Sequence, residues 1–206
     1  MESKLYVHYG TDHFDPMKFH KIENRDIEEG YMNYKPKPHT GFWASPVGCG
    51  DPWNEWCEQS DFNLDNLTRR VLFRLKTPEL VYRIASRDDY DRLVEQYGLT
   101  STELYGRYDF IPGRSDPFLA FDFEAMVRNG LKGLELSISD FPEGYNLLYG
   151  WDVDSVIIFD PDEIVEVTDA DLKNGWDPYL TEKFSSMLKE PETMPKQVLG
   201  LIRSLI

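Results

Sequence analysis

The chain has 206 residues, 41% of them apolar, and a net charge of −15 at pH 7. That length and hydrophobicity support a core without metal or disulfide staples and exclude a disordered chain, and no window approaches the ~20 apolar residues of a spanning helix. The acidic balance opposes binding to nucleic-acid backbones and to anionic membranes, leaving a solvated surface or attraction to a basic partner.

The opening residues, MESKLYVHYG, lack a basic stretch followed by an apolar run, so a cytoplasmic protein without a signal peptide is expected. Residues 4–9, KLYVHY, alternate and contain aromatic and β-branched types, which predicts a strand ending at Gly10. Residues 15–40 are polar and irregular and read as a long loop with a short helix. Residues 41–45, GFWAS, predict a second strand, stopped by Pro46. Asp51-Pro52 opens a helix with Trp53, Trp56 and Cys57 on one face. Cys49 and Cys57, the two cysteines, are expected as reduced thiols, with no zinc spacing around them.

Strands follow at 70–76 and 80–85, then a helix from Ser86 to Tyr97. Ser86 with Asp89 forms a variant capping box there, and Tyr90, Leu93, Val94 and Tyr97 give a buried stripe. Residues 98–118 read as a long loop, in which Tyr105, Tyr108 and Arg114 are placed to meet an acceptor. A helix from Asp122 to Arg128 stops at Asn129-Gly130. Strand 134–138 and a helical turn near 145–149 precede 154–159, DSVIIF, the most apolar run and so a central strand. Asp160-Pro161-Asp162 turns into a last strand at 163–167. Residues 179–189 and 195–205 predict two helices. The expected organisation is therefore a domain over 1–168 and a C-terminal helical extension over 169–206.

No P-loop, GxGxxG after a strand, HExxH or GxSxG occurs. What remains is a three-part pattern on short strands. The first part is Leu5 to Thr11, with His8 near a strand end and then Tyr9, Gly10 and Thr11. The second is Gly41 to Pro46, where Phe42 and Trp43 offer rings and Ser45 a hydroxyl. The third is Trp151 to Ser155, with Asp152 and Asp154 entering a buried strand. A histidine, an aromatic shelf with a hydroxyl, and a late carboxylate at strand ends suit a nucleotide-sugar.

In this order the sequence resembles the ADP-ribosyltransferase superfamily, whose members keep a His or Arg on the first strand, an aromatic or Ser-containing second strand, and an acidic residue on a late strand. Between the motifs, Arg70–Lys76, Val81–Ser86 and the helix with Asp88, Asp89 and Leu93 resemble the segments after the second motif. DFEAMVRNGLKGLEL, residues 122–136, resembles the helix and strand before the last. DSVIIFDPDEIVEV, residues 154–167, resembles the terminal hairpin.

The resemblance, over residues 4–168, implies an α+β fold with a split antiparallel sheet and flanking helices. It implies NAD as the substrate that supplies ADP-ribose, and no metal. His8 would hydrogen-bond the adenosine ribose, with Tyr9, Gly10 and Thr11 shaping the adjoining backbone. Phe42 or Trp43 would wall the nicotinamide, and Ser45 would supply a hydroxyl. The family's catalytic Glu position falls on Ser155, so Asp154, Asp152 and Glu135 remain alternatives for the carboxylate.

The activity implied is transfer of ADP-ribose to a macromolecule, as in toxin, phage or pathogen effectors. The acidic surface favours a protein acceptor with a basic surface over nucleic acid. Two rivals are an acidic inhibitor that occludes a basic groove without chemistry, and an NAD glycohydrolase in which water replaces the acceptor.

Overall fold

The computed structural model describes residues 4–24, 37–47, 52–100, 118–148 and 150–168. By internal contacts the chain divides into Met1–Val165 and Glu166–Ile206. The expected C-terminal helices, Cys49, and the loop residues Tyr105, Tyr108 and Arg114 lie outside the described residues. Among the described residues no helix is long and apolar enough to cross a membrane.

Nine strands are described. They are β1 (Leu5–Tyr9), β2 (Phe42–Val47), β3 (Arg70–Leu75), β4 (Val81–Ile84), β5 (Gly98–Thr100), β6 (Phe118–Phe121), β7 (Gly133–Leu136), β8 (Ser155–Ile158) and β9 (Ile164–Val167). Four helices join them: α1 (Pro52–Ser60), α2 (Arg87–Tyr97), α3 (Phe123–Arg128) and α4 (Gly144–Leu147). The fold is mixed α/β, with a seven-stranded sheet of order β4-β7-β8-β2-β1-β3-β9 and a separate β5-β6 pair.

The sheet corrects the antiparallel expectation. β1 pairs antiparallel with β2 and β3, and β8 with β2 and β7, but β4 runs parallel to β7. A parallel pair needs a long crossover, and the segment between these two strands supplies it with α2 and α3. The expected loop over 98–118 also needs correction at its start. Gly98–Thr100 is a strand, paired antiparallel with β6.

The helices begin where the sequence marks them. The Ser86 hydroxyl accepts from the Asp89 backbone N–H, and the Asp122 carboxylate accepts from that of Ala125. Each cap satisfies a backbone donor that the first turn leaves unpaired.

β2 does not stop at Pro46. Its second half pairs with β1, as Ser45 with Val7, Pro46 with Tyr6 and Val47 with Leu5. Its first half pairs with β8, as Phe42 with Ile158, Trp43 with Ile157 and Ala44 with Val156. The sheet is thus continuous through β2, but β2 changes its registered partner midway, and its two neighbours share no registered stretch of it.

Alternation along the strands feeds two apolar clusters on opposite faces. One gathers Ile84, Leu134, Leu136 and Ile157 under Leu93 of α2 and Met126 of α3. The other gathers Tyr6, Ala44, Phe73, Leu75, Val156 and Ile158, with Phe42 packed against it.

Candidate functional site

The strands carrying the three motifs are neighbours, in the order β1, β2, β8. His8 lies on the face of the smaller cluster, its ring stacked on Phe42 at a centroid distance of 4.1 Å. Phe14 meets Phe42 edge-on at 5.0 Å, which extends the aromatic wall. The registered pairing of β1 with β2 ends at Val7 and Ser45. Just beyond it, His8 Nδ1 lies 2.6 Å from the Trp43 carbonyl oxygen.

That oxygen can only accept, so Nδ1 carries the proton and Nε2 the lone pair. Burial lowers the His8 pKa, against the opposing pull of the Trp43 carbonyl, so the ring is neutral at neutral pH. It therefore presents a hydrogen-bond acceptor at Nε2, for which no partner is found among the described residues.

Tyr9 and Gly10 serve the β1–β3 side. Tyr9 pairs with Arg70, and the Gly10 N–H donates to the Arg69 carbonyl at 2.9 Å. Gly10 has φ +103°, a conformation that glycine adopts without strain. Thr11 Oγ1 donates to the His13 carbonyl at 2.8 Å.

Trp43 and Ser45 occupy the opposite face from Phe42 and His8, because neighbours on a strand point oppositely. The Trp43 ring meets Trp151 edge-on at 4.7 Å, and the Lys37 ammonium sits 5.3 Å from its centroid. Ser45 is only 3% exposed, and its hydroxyl has no partner among the described residues.

The three candidate carboxylates have different surroundings. Glu135 is buried on the His8 face, beside Val156 in the register. It accepts from Tyr6 Oη at 2.7 Å and is ion-paired to Lys4 Nζ at 2.6 Å and Arg83 Nε at 3.1 Å. The Tyr6 phenol is pushed far up, first by burial and then by the charge and hydrogen bond of Glu135. Arg83 also reaches Asp140 at 2.6 Å, and Ser137 donates to the same Asp140 oxygen.

Asp154 is also buried, and its partners among the described residues are neutral. It accepts from the Ser139 backbone N–H at 2.9 Å and the Ser139 hydroxyl at 2.5 Å. No cation among the described residues pairs with it, and the two Ser139 donors fix its direction. Asp152 is half-buried and has no hydrogen-bond partner among the described residues. Ser155 donates to the Val153 carbonyl at 2.8 Å.

The sequence reading placed all three motifs at one set of strand ends. Continued one step, the β1–β2 register sets His8 opposite Ala44, which pairs with Val156, and Asp154 is two residues back along β8, about 7 Å. The structure therefore gathers His8, Phe42 and Glu135 on one face, with Glu135 opposite Val156 and Phe42 opposite Ile158, and sets Asp154 and Asp152 just before the start of β8. Trp43 and Ser45 are behind the sheet. Sequence reasoning missed Tyr6, Arg83 and Ser139, each a partner of a candidate carboxylate. Among the described residues no group of three His, Cys, Asp or Glu side chains is arranged to hold a metal ion.

Compared with family models, with curated proteins and with solved structures, the chain matches none.

Proposed function

We propose that the protein transfers ADP-ribose from NAD to a basic protein acceptor and releases nicotinamide. The observation that carries this reading is the adjacency of β1, β2 and β8. It sets a neutral histidine, whose Nε2 has no partner among the described residues, on the same stretch of sheet as Asp154, a carboxylate oriented by Ser139 and paired with no cation among the described residues. The separation of the two suits a dinucleotide, whose two riboses are themselves held apart by a pyrophosphate. His8 Nε2 accepts from a hydroxyl of the adenosine ribose, and Phe42 offers the adjoining apolar surface.

Asp154 faces the nicotinamide ribose. The glycosidic C–N bond breaks with its electron pair leaving on nicotinamide, which becomes neutral, and positive charge develops on the ribose. A fixed carboxylate stabilises that charge more than it stabilises bound NAD, which is the condition for raising the rate. The acceptor nucleophile then bonds to the anomeric carbon and releases its proton to solvent. Of the three carboxylates, Glu135 is least suited, because Lys4 and Arg83 already neutralise it. Asp152 has no hydrogen bond among the described residues to fix its direction.

A second reading, a binding module without chemistry, is favoured by one observation. Ala44, Val156 and Ile158 are buried and fill the face between His8 and Glu135. Incubation with labelled NAD and cell lysate separates the readings. A labelled protein supports transfer, nicotinamide without a labelled macromolecule supports hydrolysis by water, and neither product leaves the binding module.

A further inference from the structure

We propose that the surface formed by α1 and the 3-10 turn Leu64–Thr68 docks an arginine-bearing basic segment of a partner protein. The surface is aromatic at its centre. Trp53 and Trp56 stack with centroids 5.2 Å apart and planes 15° from parallel, and the Phe62 ring meets them edge-on at 6.1 and 5.5 Å. Phe62 and the neighbouring Leu64 are 44% and 42% exposed. Such exposure of large apolar side chains side by side marks an interaction surface more than a core.

Its rim is acidic over residues 52–68, and Arg69, which caps the turn, follows with Arg70. Residues 52–68 carry Glu55, Glu58, Asp61 and Asp65, all exposed, and no lysine, arginine or histidine. A hollow beside the rings is lined by Asp61, Asn63, Leu64, Asp65 and Asn66. The turn that shapes it is built from residues in left-handed conformation, Asp61 at φ 52° and Asn63 at φ 50°. Aspartate and asparagine tolerate that region better than most residues.

Aromatic faces edged by carboxylates complement a cation that is itself flat. A guanidinium stacks on an indole while its N–H fork reaches a carboxylate, which an ammonium cannot reproduce. The same negative rim repels a phosphate backbone, so the occupant is a protein segment and not a nucleic acid. The surface also adjoins the candidate site. Asn66 lies against Gly10, where a Cβ would meet its side chain at 3.9 Å, and Gly10 follows His8 by two residues.

That the docked segment belongs to the ADP-ribose acceptor rests on the transferase reading; the binding itself does not. The test is fluorescence anisotropy of a labelled arginine-rich peptide with the full chain, without NAD, beside an uncharged peptide of equal length. The arginine-rich peptide is expected to bind saturably and to weaken as salt is raised, and the uncharged peptide not to bind. Trp56→Ala is expected to weaken binding about tenfold, and Asp61→Asn with Asp65→Asn severalfold. His8→Ala should leave it unchanged.

Asparagine suits the left-handed position 61, so the double charge variant keeps the test available even if Trp56→Ala does not fold. Absence of saturable binding, or binding that either set of folded variants leaves at the wild-type level, overturns the proposal. Nicotinamide release assayed on the same preparations reports on the transferase reading separately.

Discussion

Two buried carboxylates, Glu135 and Asp154, are expected to respond oppositely to the same isosteric change. Glu135→Gln removes a charge that two cations and a phenol share. Breaking a fully buried pair costs about 3–5 kcal/mol. Here the Lys4 and Arg83 side chains are 44% and 45% exposed and rehydrate once released. Tyr6 can still donate to the amide oxygen. The expected loss of stability is therefore lower, about 1–2 kcal/mol, with screening included.

Asp154→Asn keeps an oxygen to accept from Ser139 and removes a buried carboxylate that no cation among the described residues pairs with. Its stability cost is expected to stay within ~1 kcal/mol, the net worth of one neutral hydrogen bond. Turnover should divide the other way. Loss of one electrostatic stabiliser commonly lowers a rate by about a hundredfold, or ~2.7 kcal/mol at the transition state. That loss is expected for Asp154→Asn and not for folded Glu135→Gln. Urea unfolding gives the first pair of numbers and single-turnover nicotinamide release the second. If Glu135→Gln abolishes release at undiminished stability while Asp154→Asn releases normally, the division of the carboxylates into structural and chemical is refuted.

His8→Ala should weaken NAD binding by about 1–3 kcal/mol, the cost of leaving a polar partner unmatched, and calorimetry on both proteins measures it. The lowered His8 pKa also predicts a pH effect. The unfolded chain takes up a proton as pH falls below the ordinary value of 6.5 while the folded ring resists it, so this contribution is present above 6.5 and lost below it. Unfolding free energies at two pH values spanning 6.5 should therefore differ more in wild type than in His8→Gln; an equal difference removes His8 as the cause. Gly41→Ala should destabilise by more than ~2 kcal/mol, as overpacking and a forced positive φ act together. At φ +130° the added carbon would come within 2.5 Å of Ile157 Cδ1 and 2.8 Å of Ile22 Cδ1, and a thermal melt near wild type would contradict it.

Local signals in the sequence were reliable where a local cause fixes the outcome. Ser86 with Asp89 marks the start of α2 because the cap is made within one turn. The apolar run Val156–Ile158 marks a central strand because both of its faces are buried. Pro46 misled for a reason equally physical. A proline ends a strand only where its missing N–H is needed, and in β2 it is accommodated opposite Tyr6.

The parallel placement of β4 against β7 depends on a crossover of some fifty residues, which no local pattern encodes. The site shows the same limit. His8, Asp154 and Glu135 were visible as chemistry-bearing residues. Their levels along the sheet, and the capture of Glu135 by Tyr6 across 129 positions, follow from strand register alone.

β8 is buried on both sides, with Val156 and Ile158 in one cluster and Ile157 and Phe159 in the other. Most strands of a sheet with one wet face can drift at every second position. This one has no such freedom, because any polar replacement from 156 to 159 lands in one oily layer or the other. Descent should therefore leave an unbroken apolar tetrad here while neighbouring surfaces diverge. A distant cousin of the chain is best sought by that tetrad followed by Asp-Pro, before any catalytic residue is compared.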